Sequence, residues 1–156
     1  MPIAPIWRFV CYNGSMIIAL DYGEKNIGVA VTDEDEIFAF PKCNIPTHLF
    51  KKDIHILESK VPNFSTVTDI IIGLPKNLKG QNTPQTEKTL QFYELISNLY
   101  AMNINVALYD ERFTSTIFQK SVQSMGGKMK DVRDSKDMYE AAILLEDYLK
   151  RKMNER

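Results

Sequence analysis

Residues 17–33, IIALDYGEKNIGVAVTD, decide the fold, because they set a single acid between two apolar runs. Ile17-Ile18-Ala19-Leu20, with Met16 ahead of them, form the unbroken apolar run of a fully buried strand. Ile27, Val29 and Val31 alternate, as a half-buried strand does. The link DYGEKN is short enough for a hairpin, with Gly23 expected to supply the backbone freedom. Asp21 therefore closes a buried strand at its C-terminal end. The ordinary explanation is a turn aspartate bonding its own backbone. The functional one is a carboxylate that holds a metal ion over a sheet.

Outward from this hairpin, TDEDE makes a second polar turn and IFAFPKC a third strand, which implies an antiparallel meander. PTHLFKKDIHILESKV sets Leu49, Phe50, Ile54 and Leu57 on one helical face. DIIIGLP is a buried strand closed by glycine and proline. Thr83-Pro84 supplies a capping hydroxyl and a first-turn proline to a helix striped by Leu90, Tyr93, Ile96, Leu99 and Tyr100. INVALYDER is a strand ending on Asp110-Glu111; a helix near 115–125, a loop over 126–136 and a last helix from about 136 to 152 complete the chain. The order β-β-β-α-β-α-β-α-α predicts an α/β fold, a mixed sheet covered by helices.

At 156 residues the chain suits one domain, expected over 16–153, with 1–15 an extension outside the fold because Met16 opens the first strand. A hydrophobic fraction of 44% and a charged fraction of 25% are those of an ordinary globular protein. A net charge of -1 means that any nucleic-acid partner must be met by local positive charge. No apolar run reaches the ~20 residues of a membrane span, so no membrane partner is expected. Cys11 and Cys43 lack metal-ligand spacing and the opening residues lack signal-peptide character, which favours a cytoplasmic location.

Three carboxylates stand at informative places: Asp21, Glu111 beyond the INVALY strand, and Asp137 in the expected first turn of the last helix. Carboxyl ends of parallel strands form the crevice where such sheets bind ligands. Were the first and INVALY strands parallel neighbours, Asp21 and Glu111 would meet there. Gathered acids repel, and Mg²⁺ or Mn²⁺ would relieve them; two ions ~4 Å apart can clamp both oxygens of a phosphodiester displacement. Each acid also has a plain alternative: Asp137 as a helix-dipole partner and Glu111 as a surface ion-pair acid.

ALDYGEKNIGVAVTD, IIGLPKNLKG followed by Pro84, LYDERFTS and DMYEAAILLEDYL together resemble the YqgF family, from Met16 to about residue 150. These are RNase H-like proteins called Holliday-junction resolvases or nucleases of precursor 16S rRNA. The resemblance implies an RNase H-like, five-stranded mixed sheet with three antiparallel strands first. It also implies Asp21, Glu111 and Asp137 as catalytic, metal-binding acids, and products with 5′-phosphate and 3′-hydroxyl ends. Glu140 departs from the family, which often has a small residue there, and Phe113 replaces a leucine; Glu140 bears on how closely the last helix packs. The first motif by itself also resembles actin-like ATPases and sugar kinases, but 156 residues are too few for the two domains those need.

Asn77 and Lys79 are candidates for holding a nucleic-acid backbone. Residues 120–136 carry Lys120, Lys128, Lys130, Arg133 and Lys136 against Asp131 and Asp134, five cations to two acids, or +3. With Gly126-Gly127 inside it, in the expected loop, this stretch suggests a flap over substrate phosphates, with Lys128, Lys130 and Arg133 as contacts. Arg112 suits a buried ion pair, Thr114 or Ser115 a helix cap, Tyr22 packing rather than base stacking, and His48 and His55 the surface. The expected activity is metal-dependent cleavage of structured nucleic acid, either precursor 16S rRNA or branched DNA, by a monomer or homodimer. A non-catalytic RNA- or ribosome-binding module is the rival.

Overall fold

A computed structural model describes residues 14–77, 79–110 and 129–155, with backbone alone for 129–134. Five strands form one sheet: β1 (Met16–Tyr22), β2 (Asn26–Thr32), β3 (Ala39–Pro46), β4 (Val67–Leu74) and β5 (Asn105–Asp110). Their spatial order is β3-β2-β1-β4-β5. β1–β2 and β2–β3 pair antiparallel, while β1–β4 and β4–β5 pair parallel. The mixed sheet with its meander first is the architecture expected from the strand pattern.

Helices cover both faces. One face carries α1 (Thr47–Lys52), α2 (Ile56–Lys60) and α3 (Pro84–Tyr100); the other carries α4 (Met129–Asn154). β1 is central, which is why its apolar run is unbroken. Ile18 and Leu20 enter the core with Phe50, Leu57, Phe92 and Ile96, whereas Ile17 and Ala19 enter the core with Ala141, Leu144 and Leu145. Each fully buried Ile or Leu contributes roughly 1.5–3 kcal/mol of transfer free energy.

Three local expectations change. The single helix expected over 46–61 is two short ones, because the Asp53 carboxylate accepts the His55 N–H at 3.0 Å and turns the chain between them. Leu49 is consequently exposed while Phe50 and Leu57 are buried. Gly23 does not adopt a left-handed backbone; its N–H donates to the Asn26 carbonyl at 2.9 Å, and an added Cβ would stand 2.6 Å from that oxygen. Room, not freedom, is what the hairpin needs there.

The third change concerns the last helix, which is already formed at Met129. Lys130 and Arg133 lie in helix rather than in a flap, and Asp137, eight residues after Met129, is more than two turns in. The stretch MKDVRDSK contains no glycine or proline, so nothing in it stops a helix that tertiary packing holds further on. α3, by contrast, starts as read. Thr83 and Thr86 form a reciprocal capping box, with Pro84 in the first turn.

Candidate active site

The two-residue period of β1 determines where its acid goes. Ile17 and Ala19 face α4, so Asp21 falls on that side and Tyr22 on the other. Tyr22 stacks on Phe92 with ring centroids 4.7 Å apart, the packing role expected of it. Asp21 is 8% exposed, a carboxylate taken almost wholly out of bulk water.

Across the β1–β2 ladder, Asp21 is paired with Gly28. A Cβ added to Gly28 would lie 2.0 Å from the Asp137 carbonyl oxygen and 2.7 Å from the Met138 nitrogen. The backbone of α4 thus occupies the space a side chain would fill. Small residues continue this seam: Ala19 and Ala30 on the sheet meet Ala141 on the helix. Two polar ties orient the far end of α4. The Tyr109 hydroxyl donates to Asp147, and Lys152 reaches Glu36 at 3.1 Å.

This close seating brings the acids together. Asp21, Asp137 and Glu140 each present a carboxylate oxygen, and the three oxygens lie within 4.8 Å of one another. Asp137 and Glu140 are three residues apart on α4 and so share a face. The Asp137 carboxyl is pushed above the ordinary carboxylate range, first by burial and then by the Glu140 charge, against a smaller opposing pull from Lys136. Lys136 Nζ stands 3.6 Å from Glu140 Oε1.

An all-oxygen set with three negative charges suits a hard divalent cation, and a cation would relieve the repulsion that lifts Asp137. Glu140 is the residue sequence reasoning missed as a site member. It enters as an obstacle to packing, yet the helix reaches the Gly28 backbone and Glu140 joins the acids. The available signal was its i,i+3 spacing from Asp137, on the helix face that continues to Ala141 and Leu144.

The first and INVALY strands are parallel but not neighbours. β4 lies between β1 and β5, so two strand spacings, roughly 9.6 Å, separate them. Glu111 follows Asp110, the last residue of β5, and lies outside the described residues, as do Lys128, Arg112, Phe113, Thr114 and Ser115. Asn77 organises the loop after β4. Its amide oxygen accepts the Lys79 and Gln81 N–H groups at 3.0 and 2.9 Å, and its amide nitrogen donates to the Gln81 side chain at 3.0 Å. Lys79 is exposed on that loop. His48 and His55 are exposed, and His55 pairs with Glu58 at 3.3 Å.

A five-stranded mixed sheet that opens with an antiparallel meander and carries acids between its central strand and last helix defines an RNase H-like α/β protein. The profile of the family described as RuvX: Holliday junction resolvase matches residues 15–151. This chain belongs to the RuvX family. It is 33% identical over 137 residues to a protein of Chloroflexus aurantiacus named "Putative pre-16S rRNA nuclease", covering 88% of each chain. A protein of the same name from Ruminiclostridium cellulolyticum is 33% identical over 135 residues, 86% of this chain and 94% of its own. Among solved structures, YeaZ from Pseudomonas aeruginosa covers 72% of this chain and 50% of its own at 14% identity and a TM-score of 0.43, a likeness too slight to argue from.

Proposed function

We propose that this protein is a divalent-metal-dependent nuclease that cuts phosphodiester bonds of structured nucleic acid, with precursor 16S rRNA as its substrate. The reading rests on family membership and on one geometric observation: the buried Asp21 of β1 meets Asp137 of α4 across Gly28. Asp21 and Asp137 would hold Mg²⁺ or Mn²⁺, with Glu111 the further acid assigned by family resemblance. Such ions, when bound, polarise the phosphodiester and make nearby water acidic.

The chain's own residues have separable tasks in this reading. β1, buried from Met16 to Asp21, fixes Asp21 so that no reorganisation is needed on substrate arrival. Burial keeps bulk water from the Asp21 carboxylate. Asn77 shapes the loop that carries Lys79, so its part in binding is to position a cation rather than to touch phosphate. Lys130 and Arg133 precede Asp137 by seven and four residues on α4, the spacing of one helical stripe. With Lys128 and Lys79 they are the proposed phosphate contacts, which fix register without reading sequence.

The test compares a precursor 16S rRNA fragment, single-stranded RNA and a four-way DNA junction, each with Mn²⁺ and with EDTA. The expected result is cleavage of the precursor in Mn²⁺ alone, leaving 5′-phosphate and 3′-hydroxyl ends. Cutting of the junction in preference to the precursor would make the protein a resolvase. Tight RNA binding that persists in EDTA, with no cleavage in Mn²⁺, would make it a non-catalytic binder.

A further inference from the structure

Resting on the nuclease reading, we propose that the cavity between the DYGEKN turn, α1 and α3 is a subsite for an unpaired nucleotide of the substrate. The base lies against Tyr22 and Leu95, and a phosphate lies between Lys51 and Lys88, all four of which line the cavity. Position carries this first. Tyr22 follows Asp21 on β1, with adjacent Cα atoms about 3.8 Å apart, but turns to the opposite face of the sheet. α1 follows directly on β3, and α3 follows the loop after β4, so both helices begin at the end of the sheet where Asp21 lies. A strand whose scissile phosphate sits at Asp21 therefore has this cavity beside its neighbouring nucleotides.

Size and chemistry agree with the assignment. The cavity measures about 440 Å³, within the range of pockets that enclose small ligands. Phe50 and Phe92 are its buried floor, with ring centroids 5.4 Å apart. Tyr22 stacks on Phe92 yet stays only half-buried, and Leu95 is 42% exposed, so apolar surface remains open above that floor. Lys51 and Lys88 set two cations against one acid, Glu24, in a chain whose net charge is -1. Bases stack on aromatic rings while cations track the backbone, so this pairing of surfaces suits a nucleotide. Lys88 donates to Glu24 with both side chains at least half exposed, a pairing weak enough for a phosphate to displace. The wall is set before binding: the Gln85 side chain donates to the Tyr22 carbonyl at 2.9 Å, and the Thr47 hydroxyl to the Gly23 carbonyl at 2.8 Å. Holding the turn from both helices lowers the ordering cost of binding. A base stacked inside a duplex cannot enter, which makes the substrate a structured RNA with an unpaired nucleotide beside the cut.

The experiment uses the full chain and single-stranded RNAs carrying 2-aminopurine, a fluorescent adenine analogue, at successive positions, with the same RNAs annealed to their complements as paired controls. Binding is followed by fluorescence in EDTA for wild type, Lys51→Glu and Leu95→Glu, all changes at exposed positions. Lys60→Glu, exposed on α2 and outside the cavity, is the charge control. Circular dichroism establishes that each variant is folded, and cleavage of a precursor 16S rRNA fragment in Mn²⁺ supplies KM and kcat. Emission is expected to fall when the single strand binds and to hold steady with the duplex. Lys51→Glu and Leu95→Glu should each weaken single-strand binding about tenfold, within what one stacked base contributes, and raise KM with kcat retained. Lys60→Glu should bind nearly as wild type. Unchanged binding and KM in both cavity variants, or no fall in emission with wild type, overturns the subsite and leaves the nuclease reading standing. An equal loss in Lys60→Glu also overturns it, since net charge alone would then account for the effect. Emission changes that depend on Lys51 and Leu95, with no cleavage in Mn²⁺, overturn the nuclease reading and keep the nucleotide site.

Discussion

The two faces of the sheet are built by opposite rules. The face under α1, α2 and α3 is filled by large side chains, with Ile18, Leu20, Ile70 and Ile72 meeting Phe50, Leu57, Phe92 and Ile96. The face under α4 uses Ala19, Ala30 and Ala141, with Gly28 in direct backbone contact. Large residues hold a helix away from a sheet and gain stability from buried area. Small ones let the backbone approach and gain position. The acids lie on the second face, where the distance between elements is set by main chain rather than by flexible side chains.

The largest effect that would break this contrast is chemical. Asp21→Asn keeps shape and removes the charge at the seam, so cleavage in Mn²⁺ should fall on the order of 10³-fold with folding retained. Single-turnover cleavage and a thermal melt, run on one preparation, separate the two quantities. Next is Leu20→Ala on the large-residue face, which should cost about 2–5 kcal/mol of unfolding free energy in urea. It should leave Mn²⁺ affinity nearly unchanged in protein that remains folded.

Gly28→Ala inverts that pairing of effects. Its methyl meets backbone at 2.0 Å and cannot be relieved by a rotamer change, so α4 must move. About 1–3 kcal/mol of destabilisation is expected, together with loss of Mn²⁺ binding. Retained Mn²⁺ affinity in Gly28→Ala would show that the acids do not depend on helix seating. Thr83→Ala, far from the seam, should cost about 1 kcal/mol through the lost α3 cap and nothing in metal affinity.

The smallest effect is on pH. Asp137 has its carboxyl raised by burial and by Glu140, so the folded protein binds this proton more tightly than the unfolded chain. Between the ordinary carboxylate value and the raised one, stability without metal should therefore fall as pH rises. Asp137→Asn should flatten this slope, as measured by urea denaturation across the acid range in EDTA. A steeper slope in the variant would contradict the assigned cause.

Legibility differed along the same division. The large-residue core was readable from period alone, since alternating and unbroken apolar runs report how many faces of a strand are buried. Asp21 was readable as an acid closing a central strand, and Asp137 as an acid heading an apolar stripe. The start of α4 was not readable, because MKDVRDSK tolerates helix and coil alike and only packing of the residues beyond it decides. Glu140 was misread for a related reason. Its charge suggested poor packing, and the room for it exists only because Gly28 lets the helix come close enough for Glu140 to lie beside the strand's acid rather than against apolar side chains.

By itself, then, the sequence determined the number and type of strands, their mixed pairing, the cap of α3, and which acids were candidates. These are properties of spacing within one segment. Tertiary structure alone decided that β4 separates β1 from β5, that α4 sits on the Gly28 backbone, and that Glu140, among the described residues, brings its carboxylate to Asp21 and Asp137. Distances between segments remote in sequence depend on the volume of the residues between them, and no periodicity within either segment carries that quantity.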